Sequence, residues 1–381
     1  MSPLPRVLLV WDRIGDYHAA RFLELEKYLG RGRVTLADLG ASDKLYGWKN
    51  PLDGHPAYVC LSRKPVEESD TWNRFRAFVR LAETHQADVL GIAGYGRAEY
   101  NLMLLYARLR GKKVVLFAES WYGENRWLNR LKGLWLRFTC HAFMVSGQRA
   151  KHHFEDRLHL KGMPSGIGYS AVDNAHFASA GLSKANPELL CVARFSPEKN
   201  LERLVRCFSA SDLNGKWTLR LVGGGPLAGQ LEKQAAGNPS IVFSPWTAYD
   251  RLPALFSGAG FFILPSLFEP WGLVVNEAMS AGLPVALSTA CGCLPELMGD
   301  ENGFSFNPES DEALLDVLNR IARLSTAEIQ AMGRGSLNRV GPFSSARWAV
   351  RFSALAGLSP DGVREASAGE SGSGSLPESA G

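Results

Sequence analysis

Short apolar, β-branched runs alternate with helix-patterned segments along nearly the whole chain, and that alternation restricts the fold more than any other feature. Strands that are apolar throughout are covered on both faces, which requires a parallel sheet flanked by helices. In the first half, residues 7–11, 89–93, 114–118 and 142–146 read as strands, and a helix is expected from about His18 to Leu29. The pattern weakens over residues 165–188, which are rich in Gly, Ser, Ala and Asn. It restarts with runs at 189–194, 218–222, 241–244, 261–264, 285–288 and 304–306. The break predicts two doubly wound α/β domains rather than one long sheet. The boundaries expected are residues 1–168 for the first domain, 169–187 for a linker and 188–341 for the second domain. A helix over 342–358, returning to the first domain, precedes a disordered Ser/Gly/Ala/Glu-rich tail over 359–381. A chain of 381 residues suits two such domains.

Composition narrows the function classes. No apolar run reaches a membrane-spanning length of about 18 residues. The opening residues, Met1 to Arg6, show no secretory pattern. Six scattered cysteines include one Cys291-x-Cys293 pair, which fits neither a zinc site nor a disulfide framework. The expectation is a reduced, metal-free cytoplasmic protein. The net charge of +4 is split unevenly. Residues 1–169 hold 26 Lys and Arg against 17 Asp and Glu, so the first half is basic and the remainder acidic.

The richest segment runs from Pro265 to Val285. A buried strand ends at Leu264, and a loop with Pro270 and Gly272 carries Glu269. A helix starting near Gly272 then places Glu277 in its second turn. Unpaired N–H groups at a helix start, together with the helix dipole, make an anion site suited to phosphate. Two carboxylates bracketing such a site suit a ligand with a charged centre and hydroxyls at both ends, as in a nucleotide sugar. Glu277 follows Val274 and Val275 and precedes Ala278 and Met279, an apolar setting in which an unpaired charge is costly.

The spacing Glu269-x(7)-Glu277, with Pro270-Trp271-Gly272-Leu273-Val274 inside it, resembles the retaining glycosyltransferases of family 4, the bacterial-type group 1 enzymes of GT-B fold. Arg194-Phe195-Ser196-Pro197-Glu198-Lys199-Asn200 is similar to that family's cationic motif, Gly223-Gly224-Gly225 to its glycine turn, and residues 168–177 to its interdomain segment. The likeness is specific over about 165–310; over residues 1–164 it is one of organisation only.

The resemblance implies two Rossmann-like domains facing a central cleft, and transfer of a sugar from a nucleoside diphosphate to a glycan or lipid-linked acceptor in cell-surface polysaccharide synthesis. It implies that Arg194, Lys199 and the Gly272 helix start hold the diphosphate, without metal or other cofactor. Glu277 would hold the ribose and Glu269 the transferred sugar. Gly223, Gly224, Trp271, Gly272 and Leu273 would line the donor site, with Trp246 and Thr247 at the nucleobase. Leaving-group charge calls for such fixed cations, and no Asp-x-Asp metal motif occurs. In the first domain, Gly15 is expected near the diphosphate, and Asp16, His18 and Glu119 are acceptor-side candidates. Glu119 stands where many members carry a His. A sugar-nucleotide epimerase of the same fold and a non-catalytic sugar-nucleotide- or glycan-binding homologue are the alternatives. Trp11 to Asp16 lacks the Gly-x-Gly-x-x-Gly that nicotinamide chemistry needs.

No acidic residue occurs from Asn125 to Phe154, while Arg126, Arg130, Lys132 and Arg137 interleave with Trp127, Leu128, Leu131, Leu134 and Trp135. That mixture suits an anionic membrane surface at the inner face of the plasma membrane, or a helix packing its apolar face on the sheet. No nucleic-acid module is present, so nucleic acid is not expected as a partner.

Overall fold

The structure is a computed structural model, and it describes residues 4–40, 50–122, 125–180, 183 and 185–359. Apart from Ser359, the tail expected over 359–381 lies outside the described residues, as does Glu124.

Two parallel sheets make up the α/β architecture. The first holds β1 to β7: Val7–Trp11, Val34–Asp38, Tyr58–Cys60, Val89–Ala93, Lys113–Ala118, Ala142–Val145 and Ser165–Ile167, in the order β3-β2-β1-β4-β5-β6-β7. The second holds β8 to β13: Glu188–Arg194, Thr218–Gly224, Ile241–Ser244, Phe261–Leu264, Val285–Ser288 and Gly303–Phe306, in the order β10-β9-β8-β11-β12-β13. Every ladder between these strands is parallel. Central strands are buried along their length, as in Val7–Trp11 and Phe261–Leu264. Each sheet therefore has an apolar core on both faces.

The order reverses between β1 and β4 in the first sheet and between β8 and β11 in the second. Such reversals splay the following loops apart and leave a crevice at the strands' C-terminal ends. The β8–β11 crevice receives Arg194 and the loop that follows Leu264.

Three strands lie outside the sequence expectation: Val34–Asp38, Tyr58–Cys60 and Ser165–Ile167. The latter two are three-residue edge strands, too short to show an apolar run.

The crossing between domains is pinned from both sides. Trp11 donates its indole N–H to the Tyr169 hydroxyl at 2.8 Å, and the buried Arg21 donates to the Ala171 carbonyl at 3.0 and 3.1 Å. Tyr169 and Ala171 pack in the first domain's core, whereas Val172 and Phe177 pack in the second's. The last helix, Ser345–Ala356, packs back on the first domain. There Trp348 and Phe352 stack on each other at 5.3 Å and meet Phe117 at 5.6 and 5.8 Å. Arg149 of the first domain donates to the Thr289 and Cys291 carbonyls of the second at 2.9 and 3.0 Å.

Candidate active site

A cleft of about 860 Å³ lies between the domains. The first domain supplies Asp16 and Tyr17 from the start of the helix Asp16–Leu29. The second supplies Arg194 from the end of β8, Gly224 and Gly225 at the end of β9, Trp246, Thr247 and Tyr249 after β10, and Val274 and Glu277 from the helix Leu273–Ser280. Four of the loops expected to form a donor site thus converge, as the parallel order of the second sheet requires.

Gly272 caps that last helix with φ near +99°, a left-handed conformation that a side chain would strain. It turns the chain from the Glu269 loop into the helix, so that Leu273 and Val274 begin the first turn. Val274 lines the large cleft, while Leu273 lines a second cavity of about 560 Å³. The helix start therefore partitions the two spaces, with Tyr17 bordering both. Also lining the smaller cavity are His18, Arg21, Tyr95, Glu119, Tyr122 and Lys132.

Buried charge dominates the larger cleft. Glu277 is fully enclosed, and burial pushes its carboxyl up to about 7; the Tyr17 hydroxyl, which donates to it across the domain boundary, holds the carboxyl lower than burial alone would. Asp16 is raised as well, again chiefly by burial. Two carboxyls that resist ionising alone favour a ligand that brings hydroxyl donors. Tyr249 stacks on His176 at 4.4 Å and meets Tyr17 edge-on at 6.0 Å, and its buried hydroxyl has no hydrogen-bond partner among the described residues. That leaves one more polar atom at the cleft wall able to take a ligand hydrogen bond.

Lys199 and Glu269 form an ion pair with each other, both mostly buried, and neither lines the large cleft. The Glu269 loop is anchored on the chain after β12: Gly292 donates its N–H to the Glu269 carbonyl at 2.9 Å. The Trp121 indole crosses from the first domain to donate to the Pro270 carbonyl at 2.9 Å.

Several sequence expectations need correction. Whereas His18 and Glu119 line the smaller cavity, Asp16, named with them, lines the large cleft near Glu277. Its place at the first residue of the helix aims it across the domain boundary. Gly223 does not line the cleft; it is a close-packing point, where an added Cβ would sit 2.0 Å from the Ala193 carbonyl oxygen of β8. Gly224 and Gly225 take the lining position instead. Trp271 is buried in the second core, donating to Asn276 Oδ1 at 2.8 Å and packing on Phe343 at 5.4 Å. Leu273 faces the smaller cavity. Gly15 caps the first helix, and its N–H donates to His18 Nδ1 at 3.2 Å.

His18 and Glu119 do line the smaller cavity. Burial, with a smaller contribution from Arg21, drives His18 down to about 3, so it stays neutral and accepts from Gly15. Glu119 accepts from the Ser170 hydroxyl at 2.6 Å. Sequence reasoning missed Tyr17 and Tyr249 and placed Gly225 in the glycine turn without assigning it to the site. Each sits within three residues of a residue singled out, which is the signal that could have found them. Among the described residues no three His, Cys, Asp or Glu side chains gather as a metal site.

Residues 172–333 match the family model described as glycosyl transferases group 1. A sulfoquinovosyl transferase of Arabidopsis thaliana is 31% identical over 198 residues, 47% of this chain and 38% of that protein. An O-antigen chain mannosyltransferase B of Escherichia coli is 28% identical over 131 residues, 33% of this chain and 34% of that protein. The chain thus aligns with little more than a third of either relative's length. Among solved structures, the Anabaena protein Alr3699/HepE, determined in complex with UDP and glucose, superposes with a TM-score of 0.70 at 16% identity. That match covers 93% of this chain and all of the other.

Proposed function

We propose that this chain, a GT-B protein whose residues 172–333 form a group 1 glycosyltransferase domain, moves a sugar from a nucleoside diphosphate to a hydroxyl acceptor with retention of configuration. The observation that carries the reading is the convergence of Arg194, Gly224-Gly225, Trp246-Thr247 and Glu277 on one interdomain cleft. In this reading the nucleobase lies by Trp246 and Thr247, and Glu277 takes the ribose hydroxyls. The diphosphate meets Arg194, the open backbone at Gly224 and Gly225, and the first-turn N–H groups after Gly272. Lys199 reaches the diphosphate from its pairing with Glu269, and Glu269 is released to the hydroxyls of the transferred sugar. The exchange keeps charge balanced: the cation gains a phosphate as the carboxylate gains hydroxyl donors.

In this reading the two cavities divide the substrates. The acceptor occupies the smaller cavity beside Glu119 and His18, and Tyr17 and the helix start border both it and the donor cleft. The glycosyl C–O bond to the diphosphate breaks with both electrons leaving on the phosphate oxygen. The acceptor oxygen bonds the same face of the sugar, and its proton passes to that departing oxygen. Fixed donors aimed at the leaving group lower this barrier, and no enzymic nucleophile or metal ion is required. The O-antigen chain mannosyltransferase among the relatives supports a glycan or lipid-linked acceptor in this reading. No helix among the described residues is long and apolar enough to cross a membrane.

The test is donor turnover followed by proton NMR, with and without EDTA. Early product, or hydrolysed sugar, should carry the donor's anomeric configuration at a rate unchanged by chelation. An inverted product rejects the mechanism, and loss of rate restored by magnesium rejects metal independence. Tight nucleotide-sugar binding with no turnover would favour the non-catalytic alternative.

A further inference from the structure

The helix Arg126–Thr139 is turned the opposite way from a helix that covers a sheet. It buries Asn129, Gly133, Leu136 and Thr139, half-buries Trp135 and leaves Trp127, Leu128, Leu131, Leu134 and Phe138 outside. Trp127 is 76% exposed, Leu131 63%, Leu134 67% and Phe138 52%. Their spacing of four, three and four places them within an arc of about 60°. Two contacts fix this rotation. A Cβ at Gly133 would lie 1.9 Å from the Leu158 carbonyl oxygen, so only glycine lets the helix seat there. Trp135 donates its indole N–H to Asn101 Oδ1 at 2.7 Å, holding the helix flank on its neighbour.

Basic groups border the apolar stripe. Arg130 lies over the Trp127 ring at 5.8 Å and Arg108 over the Phe138 ring at 5.0 Å. Arg126 is exposed beside them, and the sequence has no acid from residue 125 to 154. A second copy docking through the same stripe would bring two arginine margins together, a like-charge contact that opposes association. An anionic bilayer answers both features: the stripe enters the headgroup boundary while the arginines meet lipid phosphates. Lys132, from the same helix, lines the smaller cavity, so the helix that meets the surface is also a wall of that cavity.

We propose that Arg126–Thr139 is an interfacial helix that seats the first domain on an anionic membrane and holds the smaller cavity beside the headgroup layer. The surface itself is independent of the function proposed above. The use of the cavity for a lipid-linked acceptor rests on that function.

Co-sedimentation of the full chain with phosphatidylcholine vesicles, and with equal-part phosphatidylcholine–phosphatidylglycerol vesicles, tests the surface. Donor hydrolysis is measured on the same samples. Wild type should bind the anionic vesicles, weakly or not at all the neutral ones, and less as salt rises. Leu131→Ser with Leu134→Ser should abolish binding. Arg126→Gln with Arg130→Gln should weaken it roughly thirtyfold, at about tenfold per 1.4 kcal/mol. All four side chains are exposed, so both variants should unfold and hydrolyse donor like wild type. Wild type left in the supernatant, a leucine variant that still binds, or a solution dimer split by that variant would overturn the proposal. Vesicle binding without donor hydrolysis would count against the function proposed above and leave this surface standing.

Discussion

Arg194 ends a core strand and lines the cleft, so its removal probes the chemistry there. Arg194→Ala should lower kcat/KM for donor turnover by about 2–4 kcal/mol of transition-state stabilisation, measured on folded protein. Wild-type turnover in that variant would remove Arg194 from the leaving-group site. Glu277 leaves a signature in stability against pH. Its carboxyl sits near 7 in the fold against 4.5 in an open chain, so between those values the folded state binds more protons. Stability from this group is therefore fully present below about 4.5 and is lost as pH rises toward 7. His18 works in the opposite sense: held near 3 against 6.5, it favours the fold more as pH rises over that range. The two oppose each other where their ranges overlap, between about pH 4.5 and 6.5. The difference between wild type and Glu277→Gln isolates the first, and urea titrations at pH 5 and 7 should show wild type losing stability relative to the variant as pH rises. A pH-independent difference would mean that Glu277 is ionised throughout.

At the level of elements, the glycine turn after β9 shows how far sequence could be read. Three consecutive glycines point to one turn lining the donor site, yet they divide the labour: Gly223 allows β9 to approach β8, and Gly224 and Gly225 face the cleft. Gly223→Ala should cost roughly 1–3 kcal/mol in urea unfolding, because its φ near +144° and the 2.0 Å approach to a carbonyl both oppose a side chain. Nothing in a row of identical residues distinguishes these roles. Most interior strands were legible because burial on both faces makes them apolar throughout. The buried interior strand Val34–Asp38 carries Thr35 and Asp38 and escaped notice, and the edge strands Tyr58–Cys60 and Ser165–Ile167 are too short to carry a pattern. Trp271 misled for a related reason: its place inside the densest motif suggested ligand contact, but the bulk of an indole beside a glycine turn fills the core. The side on which a helix packs was also unreadable in Arg126–Thr139, since it depends on Gly133 meeting a carbonyl some 25 residues later in the chain.

For the whole molecule, the two domains are joined as much by the last helix as by the linker. Trp348 lies fully buried against Phe117 and Phe352 in the first domain's core, although it comes after the second domain in sequence. Trp348→Ala should destabilise the first domain by about 3–5 kcal/mol, measurable as an earlier unfolding step by fluorescence or calorimetry. A single undisturbed transition would show that the helix adds little to that core. The domain arrangement matters because Tyr17 and Glu277 meet only when the two halves face each other, and the cleft between them is the proposed donor site. The most direct test is the thermal stability of wild type and Arg194→Ala titrated with uridine, guanosine and adenosine diphosphates. One nucleotide should stabilise wild type by about 2.7 kcal/mol at a hundred times its Kd, with the effect much reduced in the variant. No shift with any of the three, or equal shifts in both proteins, would contradict a nucleoside diphosphate held by Arg194 between the domains.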